Sequence, residues 1–337
     1  MRTGITFNLR SDIETNSRAA LAEDAAEEFD LPETIASIVE VLKSDGHEVY
    51  ELGGDLGVME KIQEWRIEFV FNIAEGFRGR NREAHIPALL ELLGVPYSGS
   101  DPLALALTLD KPLAKRIALS LGIATPPFWV LEDPSDLGEV PERYPLFVKP
   151  AWEGSSMGIR LSSRIKNREE LLKETDRLFE NYPGEPVLVE EDILGREVTV
   201  GLVGNRPPEI LGMMEIAFRG QPERDFCYSL EVKRNWREWV DYRYPADLGR
   251  ETGEEIRAAS LRLYETLRLR DVARLDFRVN REGRPYFLEA NPLPGLSPES
   301  GDLVLMAGKK GWSYRDLILK ITRSALSRYP ELTRSRI

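Results

Sequence analysis

The chain has 337 residues, 42% of them hydrophobic and 30% charged, with a formal net charge of −12. That composition is that of a soluble globular protein, and the acidic excess argues against nucleic acid as the main partner, because phosphate binding is driven by surplus Lys and Arg. At roughly 100–200 residues per domain, the length predicts two or three domains. Cys227 is the single cysteine, which excludes an intrachain disulfide framework and fits a reducing compartment. The first residues lack a signal-peptide core, and no apolar run is long enough to span a bilayer, so a cytoplasmic location without a membrane partner is expected. The two histidines, His47 and His85, have no metal-ligand spacing and read as surface or packing residues, which argues against Ser-His-Asp and His-rich zinc chemistry.

In chain order, Thr3–Phe7 has strand character, and a polar, acidic stretch follows to Asp30. Ile35, Ile38, Val39 and Leu42 then form a helical stripe closed by Gly46. His47–Leu52 and Glu68–Ile73 read as strands, and Ile86, Leu89, Leu90 and Leu93 form a second stripe ended by Gly94. Alternating strands and helices predict an α/β first domain with a largely parallel sheet. Asp101-Pro102 and Asp110-Lys111-Pro112 bracket one helix, and Lys111–Leu121 begins another. Pro145–Leu161 reads strand, glycine-rich turn, strand, followed by a charged helix over Arg168–Glu180. Val187–Val189 and Glu197–Val203 are expected strands, Asp225–Tyr244 a polar aromatic loop, and Glu254–Leu267 a helix. Two strands, a proline-rich loop and a terminal helix near Ser313–Leu326 complete the chain.

The most informative stretch is Asp271–Gly295. From Arg274 to Val279 the residues alternate: Leu275, Phe277 and Val279 face one side, and Arg274, Asp276 and Arg278 the other. A two-residue turn at Glu282-Gly283 would return Tyr286–Asn291 so that Asp276 lies opposite Glu289 and Arg274 opposite Asn291. Two carboxylates that close repel unless a cation lies between them. Asp276, Glu289 and Asn291 offer the oxygen ligands that Mg²⁺ prefers. A solvated polar face is the alternative reading of such alternation. Asn291-Pro292-Leu293-Pro294-Gly295, directly after these residues, favours the functional one, because it fixes the backbone and can aim N–H groups at an oxyanion.

Two further stretches carry phosphate chemistry. Lys149 ends a strand, and Glu153-Gly154-Ser155-Ser156-Met157-Gly158 follows, a small-residue loop whose backbone can approach a phosphate. It has neither P-loop nor dinucleotide spacing, and alone it is an ordinary hairpin turn. Lys149 just before it strengthens the phosphate reading; Lys111 is a similar lysine at a helix start. Val187–Ile193 is an apolar strand ending in the acids Glu190, Glu191 and Asp192, where backbone groups can read an adenine edge.

These pieces occur together and in order, and the chain resembles the D-alanine–D-alanine ligase branch of the ATP-grasp superfamily. The resemblance is strongest from about Leu89 to Leu319. It rests on Leu90–Ser100, Asp110-Lys111, Lys149-Pro150 with Glu153–Gly158, Glu190 with Gly195-Arg196-Glu197, Arg274–Phe277, and Glu289–Gly295. It implies an α/β protein, α+β in the ATP-grasp part, with three domains: 1–102, an N-terminal α/β substrate domain; 103–186, a central ATP-grasp subdomain; and 187–337, a C-terminal ATP-grasp subdomain with the metal site. Nucleotide would lie between two sheets. Lys111 and Lys149 would hold ATP phosphates with Ser156 of the glycine loop, the adenine would sit near Glu190, Glu191 and Ile193, and Glu197 would take the ribose. Asp276, Glu289 and Asn291 would bind two Mg²⁺ ions, with Mn²⁺ as an alternative. Arg274 and the Gly295 N–H would stabilise an oxyanion, Ser300 would hold the second substrate's carboxylate, and Lys233 would reach the γ-phosphate. The implied reaction makes an acyl phosphate from one small amino-acid-like substrate and joins it to the amine of another. A homodimer is expected by family likeness.

The departures from the pattern face the substrates. The double glycine after the first strand is missing, and Glu27 is the candidate for the family's amine-binding glutamate. The loop before the second helix reads Asn72-Ile73-Ala74-Glu75-Gly76. Arg234 stands where dipeptide ligases carry the tyrosine that completes a Glu–Ser–Tyr triad with the equivalent of Ser155. Arg234, with Arg78, Arg80 and Arg82, could meet an anionic substrate group. The expected function is an ATP-dependent carboxylate–amine ligase whose substrates need not be two D-alanines. Authentic D-alanine–D-alanine ligase, a non-catalytic ATP-binding module and a small-molecule kinase are the competing readings.

Overall fold

The computed structural model describes residues 1–11, 22–77, 79–219 and 229–334, with Thr333 and Arg334 as backbone only. Cys227, Arg78 and residues 225–228 of the expected aromatic loop lie outside the described residues.

Strands β1 (Arg2–Thr6), β2 (Glu48–Glu51) and β3 (Phe69–Asn72) form a parallel sheet in the order β2-β1-β3. Helix α1 (Pro32–Ser44) begins on a proline and presents Ile35, Ile38, Val39 and Leu42, all buried. That stripe packs on Ile5, Phe69 and Phe71, as its spacing predicts. Helix α2 (Gly57–Trp65), which the apolar spacing did not reveal, covers the other face with α3 (His85–Leu93) through Val58, Ile62, Ile86 and Leu90. Gly94 closes α3 in the left-handed conformation (φ 67°).

Helices α4 (Pro102–Leu109) and α5 (Lys111–Ser120) follow, each capped by an aspartate: Asp101 accepts from the Ala104 N–H and Asp110 from the Leu113 N–H. Next comes an antiparallel sheet of β4 (Phe128–Leu131), β5 (Leu146–Pro150), β6 (Arg164–Ile165) and β7 (Val187–Glu191), in the order β4-β7-β5-β6. Helix α6 (Arg168–Asn181) covers it with Leu171 and Leu178. A division between 186 and 187 would assign β7 to the unit that follows. Its hydrogen bonds place it between β4 and β5 instead, with Val187, Leu188 and Val189 all buried.

The largest sheet is antiparallel, in the order β10-β9-β8-β11-β12: β8 (Gly195–Val203), β9 (Glu209–Phe218), β10 (Val240–Arg243), β11 (Val272–Asn280) and β12 (Pro285–Asn291). The expected aromatic loop contains the short helices α7 (Leu230–Arg234) and α8 (Trp236–Trp239) before β10. Helix α9 (Arg250–Thr266) packs Ile256 and Leu263 on β8 and β11. Where a proline-rich loop alone is expected, α10 (Asp302–Lys310) buries Leu303, Val304 and Met306. Helix α11 (Tyr314–Leu326), with its Ser313–Asp316 capping box, and α12 (Pro330–Arg334) end the fold.

The first and third sheets share one core, in which α1 and β1 meet α10 and α11. A polar knot ties the same two regions. Asp271, 0% exposed, accepts from the Gly99 N–H at 2.8 Å, from Asn205 at 3.0 Å and from Arg328 at 2.6 Å. Arg328 also donates to the carbonyl oxygens of Tyr97 and Gly99. Asp271 sits at φ 64°, a left-handed conformation that asparagine tolerates equally. Asp271→Asn therefore isolates the charge from the backbone. Breaking a buried ion pair on one side costs about 3–5 kcal/mol, and a loss of that order is expected in denaturant unfolding.

Candidate active site between the second and third sheets

The site starts from a register. On β11 and β12, Arg274 pairs with Asn291, Leu275 with Ala290 and Asp276 with Glu289. The turn is not the expected two-residue one. Asn280 accepts from the Gly283 N–H and donates to Arg284, leaving a loop of Arg281, Glu282 and Gly283, with Gly283 at φ 84°. The pairs near the turn, Phe277 with Phe287 and Arg278 with Tyr286, are accordingly offset by one. A bulge between Asp276 and Phe277 leaves Leu288 over and restores the opposition of the two acids.

Three cations face this pair. Lys111, at the start of α5, lies 3.6 Å from Glu289 and donates to the Glu153 carbonyl. Lys149 ends β5, and Arg274 on β11 donates to Asp276 at 3.0 Å and to Asp302 at 3.0 Å. The charge balance is uneven. Burial pushes the Asp276 carboxyl up, with Glu289 adding and Arg274 opposing. Burial also acts on Glu289, but Lys111, Lys149 and Arg274 outweigh it and hold that carboxyl below its ordinary value. Asn291 adds a third oxygen, which also accepts from the Leu293 N–H at 3.0 Å. An all-oxygen set with one acid left under-compensated suits a small hard cation.

Across the cavity lies the second sheet. Glu190 of β7 is held at 2.5 Å by both Lys149 and Lys115. Burial alone would raise Glu190, but the two ammonium groups bring it down to about 2. Lys115, fully buried, is pushed down to about 8 by burial with Glu190 opposing, and it also donates to Thr125. Lys115 stands four residues after Lys111, on the same helix face, and that spacing is its one signal in the sequence. Glu197 on β8 faces the cavity 3.3 Å from Arg278; burial raises it, with Arg278 opposing and Asp276 and Glu289 adding.

The glycine loop closes one side. Ser155 and Ser156 take φ values of 49° and 62°, a region sparsely populated by residues with a Cβ. A Cβ on Gly158 (φ 73°) would lie 2.3 Å from the Pro150 ring, so glycine is needed there, and one on Gly154 would displace the Glu28 carboxylate, 2.2 Å away. Lys233 on α7 reaches over the loop to the Ser155 carbonyl at 3.1 Å, and burial pushes its ammonium down to about 8. Asp24 ties the N-terminal turn to the same loop, accepting from the Gly158 N–H at 2.9 Å and from Tyr182 at 2.5 Å and pairing with Arg160.

One cavity of about 570 Å³ is lined by every nucleotide, metal and catalytic candidate named from sequence and by Glu27, Arg234 and Ser300, but not by Arg80 or Arg82. It brings together Glu27, Lys111, Lys149, Ser155, Ser156, Glu190, Glu191, Ile193, Glu197, Lys233, Arg234, Arg274, Asp276, Glu289, Asn291, Gly295 and Ser300. Two substrate-side expectations change. Glu27 is engaged by Arg234 at 2.9 Å and Arg10 at 3.7 Å, so Arg234 is matched by an acid of this chain rather than presented to an anion. Arg82 is buried against Glu28, Glu153 and the Trp152 carbonyl, and Arg80 pairs with Asp110 at 2.6 Å. Asp302, beside Arg274, and Glu83, on the N-terminal side of the cavity, had no local signature in the sequence, while Glu75 beside Glu83 lies in the altered loop Asn72–Gly76.

A family model described as the D-ala D-ala ligase C-terminus matches residues 118–323. A D-alanine–D-alanine ligase of Aquifex aeolicus is 35% identical over 287 residues, covering 84% of this chain and 91% of that protein. An uncharacterized protein of Sinorhizobium fredii is 35% identical over 305 residues, 87% of each chain. The crystal structure of D-alanine–D-alanine ligase from Bacillus anthracis complexed with ATP superposes with a TM-score of 0.73 at 24% identity, covering 98% of this chain and 99% of that one. The D-Ala:D-Ser ligase VanG from Enterococcus faecalis gives 0.72 at 21% identity, over 96% and 99%.

Two outcomes test the electrostatics of the cavity. Lys115→Met leaves Glu190 with one cation in a buried setting, and a loss of about 3 kcal/mol or more is expected in denaturant unfolding. The second concerns pH. Burial raises Asp30 to about 7, with Arg10 opposing, and raises Glu185 to about 8, with Glu153 adding. Their contribution to stability is complete below the unfolded carboxylate pKa and is lost as pH climbs through these raised values, since the folded state binds more protons there. The ligand-free Tm should fall from pH 6 to pH 8.5 in scanning calorimetry, and Glu185→Gln should flatten that slope.

Proposed function

The chain belongs to the D-alanine–D-alanine ligase family of ATP-dependent C–N ligases, and from that membership we propose that it phosphorylates the carboxylate of one small amino-acid-like substrate and joins it to the amine of another. The observation that carries this reading is the opposition of Asp276 and Glu289 across β11 and β12, with Lys111, Lys149 and Arg274 turned toward them.

In this reading Asp276, Glu289 and Asn291 hold two Mg²⁺ ions, or Mn²⁺ in their place; their all-oxygen donor set and the under-compensated Asp276 fit such ions. When bound, the ions neutralise charge on the transferred phosphoryl group. Lys111 and Lys149 place ammonium groups against the phosphates, and Lys233 covers the terminal one from above the Ser155-Ser156 turn. The adenine lies along Glu190, Glu191 and Ile193, and Glu197 receives the ribose. A carboxylate oxygen of the first substrate attacks the terminal phosphorus as the bond to ADP breaks. The resulting acyl phosphate is attacked by the second amine, and phosphate leaves. Arg274 and the Gly295 N–H meet the oxyanion of the tetrahedral intermediate, and Ser300 orients the second carboxylate. The closed glycine loop and α7 keep water from the acyl phosphate.

We also propose three units, with the second boundary placed after Glu191 because β7 belongs to the central sheet. A cytoplasmic setting and a homodimer complete the proposal; no helix of the described residues is long and apolar enough to cross a membrane. A second reading, two D-alanines as substrates, is favoured by the name of the Aquifex aeolicus relative. The engagement of Glu27 by two arginines speaks for a different first substrate.

An ADP-release screen over D- and L-amino acids, with mass analysis of the products, tests the proposal. Amide product with stoichiometric ADP is expected; nucleotide binding without ADP release for any pair would refute it. Arg274→Met should lower kcat by about 10²–10³-fold, the usual cost of one oxyanion donor, with little change in nucleotide affinity. Asp276→Asn should raise the Mg²⁺ concentration needed for half-maximal rate.

A further inference from the structure

The N-terminal side of the cavity holds more acid than the chain itself neutralises. One carboxylate oxygen from each of Glu28, Glu75 and Glu83 falls within 4.8 Å of the others, and all three residues line the cavity. Glu28 is served by Arg82, which donates to both of its oxygens at 2.8–3.1 Å and also reaches Glu153 at 3.1 Å. Among the described residues no ion pair reaches Glu75 or Glu83. Glu83 is 7% exposed, and its Oε2 has no hydrogen-bond partner among those residues.

The arrangement is built, not incidental. Gly76, at φ 74°, lies so close to the Arg82 carbonyl that a Cβ would stand 2.4 Å from its oxygen. Only glycine lets the loop after β3 fold onto the 3₁₀ turn Arg82–Ala84 and set Glu75 beside Glu83. The Gly76 N–H is fixed by Asn8 at 2.8 Å. Burial pushes Glu83 up to about 8 and Glu75 well above the carboxylate range, each raised further by Glu28, with Arg82 opposing at both and Lys111 at Glu83. Unpartnered acids in a cavity call for a cation from outside.

We propose that Glu75 and Glu83, backed by Glu28, form a subsite for the cationic group of a basic substrate, an ammonium or guanidinium borne by one of the two molecules the enzyme joins. An organic cation fits better than a metal ion here. Both oxygens of Glu28 are occupied by the Arg82 guanidinium, which leaves too few oxygen ligands for a divalent ion, whereas an ammonium needs only one acceptor each from Glu75 and Glu83. The subsite rests on the ligase reading, since it gives that reaction its substrate class.

Lysine, ornithine and arginine, in both configurations, would be compared with norleucine and alanine in two assays: calorimetric binding in the presence of a non-hydrolysable ATP analogue, and ADP release with mass analysis. Lysine should bind at least about tenfold more tightly than norleucine, as expected for hydrogen bonds to charged groups. Glu83→Gln and Glu75→Gln should abolish that preference while raising the ligand-free Tm, which also shows that the variants fold. Equal binding of lysine and norleucine, or a preference that survives both variants, overturns the subsite. So does Mn²⁺ binding that is lost in Glu83→Gln and kept in Asp276→Asn. Lysine binding lost in the variants with no amide from any pair would leave the subsite standing and remove the ligase reading. Amide formation from neutral amino acids, unaffected by the variants, would do the reverse.

Discussion

Two carboxylates held face to face across an antiparallel ladder impose the central constraint on this molecule. Asp276 and Glu289 cannot both be ionised and buried without positive charge nearby, and the fold answers with side chains from separate elements. Lys111 arrives on a helix start capped by Asp110, Lys149 on the end of a strand of the other sheet, and Arg274 from two residues earlier on the same strand. The two antiparallel sheets must therefore face one another across the cavity, because neither alone supplies the charge balance. That balance is incomplete at Asp276, which makes the place suited to a small divalent ion.

Charge along the cavity is graded rather than uniform. Lys111, Lys149, Lys233 and Arg274 stand together toward the third sheet and the glycine loop, among acids that they partly balance, and this clustering suits phosphates. Toward the N-terminal sheet Glu28, Glu75 and Glu83 outnumber Arg82. A net charge of −12 is thus compatible with binding a polyanionic nucleotide, because the cations are concentrated where its phosphates would lie. The N-terminal side carries the departures from the family pattern noted in the sequence, and there the chain pairs its own charges, Glu27 with Arg234 and Glu28 with Arg82.

What could be read from sequence was what repeats or clusters locally. Strand alternation placed Asp276 opposite Glu289, and the α1 stripe and the glycine loop carried their meaning in adjacent residues. The β11–β12 turn is one residue longer than its sequence predicts, and the bulge at Leu288 compensates, so the two acids still oppose one another. A boundary between 186 and 187 cuts β7 from the strands it pairs with, since an apolar strand carries no mark of its neighbours. The meeting of Glu75 with Glu83 depends on how one loop folds at Gly76, and that of both with Glu28, and of Asp302 with Arg274, on contacts between separate segments. Lys115 alone among the missed residues had a local signal, its helical spacing from Lys111.

The bulge also bears on the route by which this hairpin can close. A hairpin that closes from its tip joins Val279 to Pro285, then Arg278 to Tyr286, then Phe277 to Phe287, whose rings meet edge-on at 5.8 Å. Only beyond the unpaired Leu288 do the acids come abreast. Along that route the mutually repelling groups come abreast only after the apolar clasp of Phe277 and Phe287, so the energetically adverse contact is made on a frame already begun.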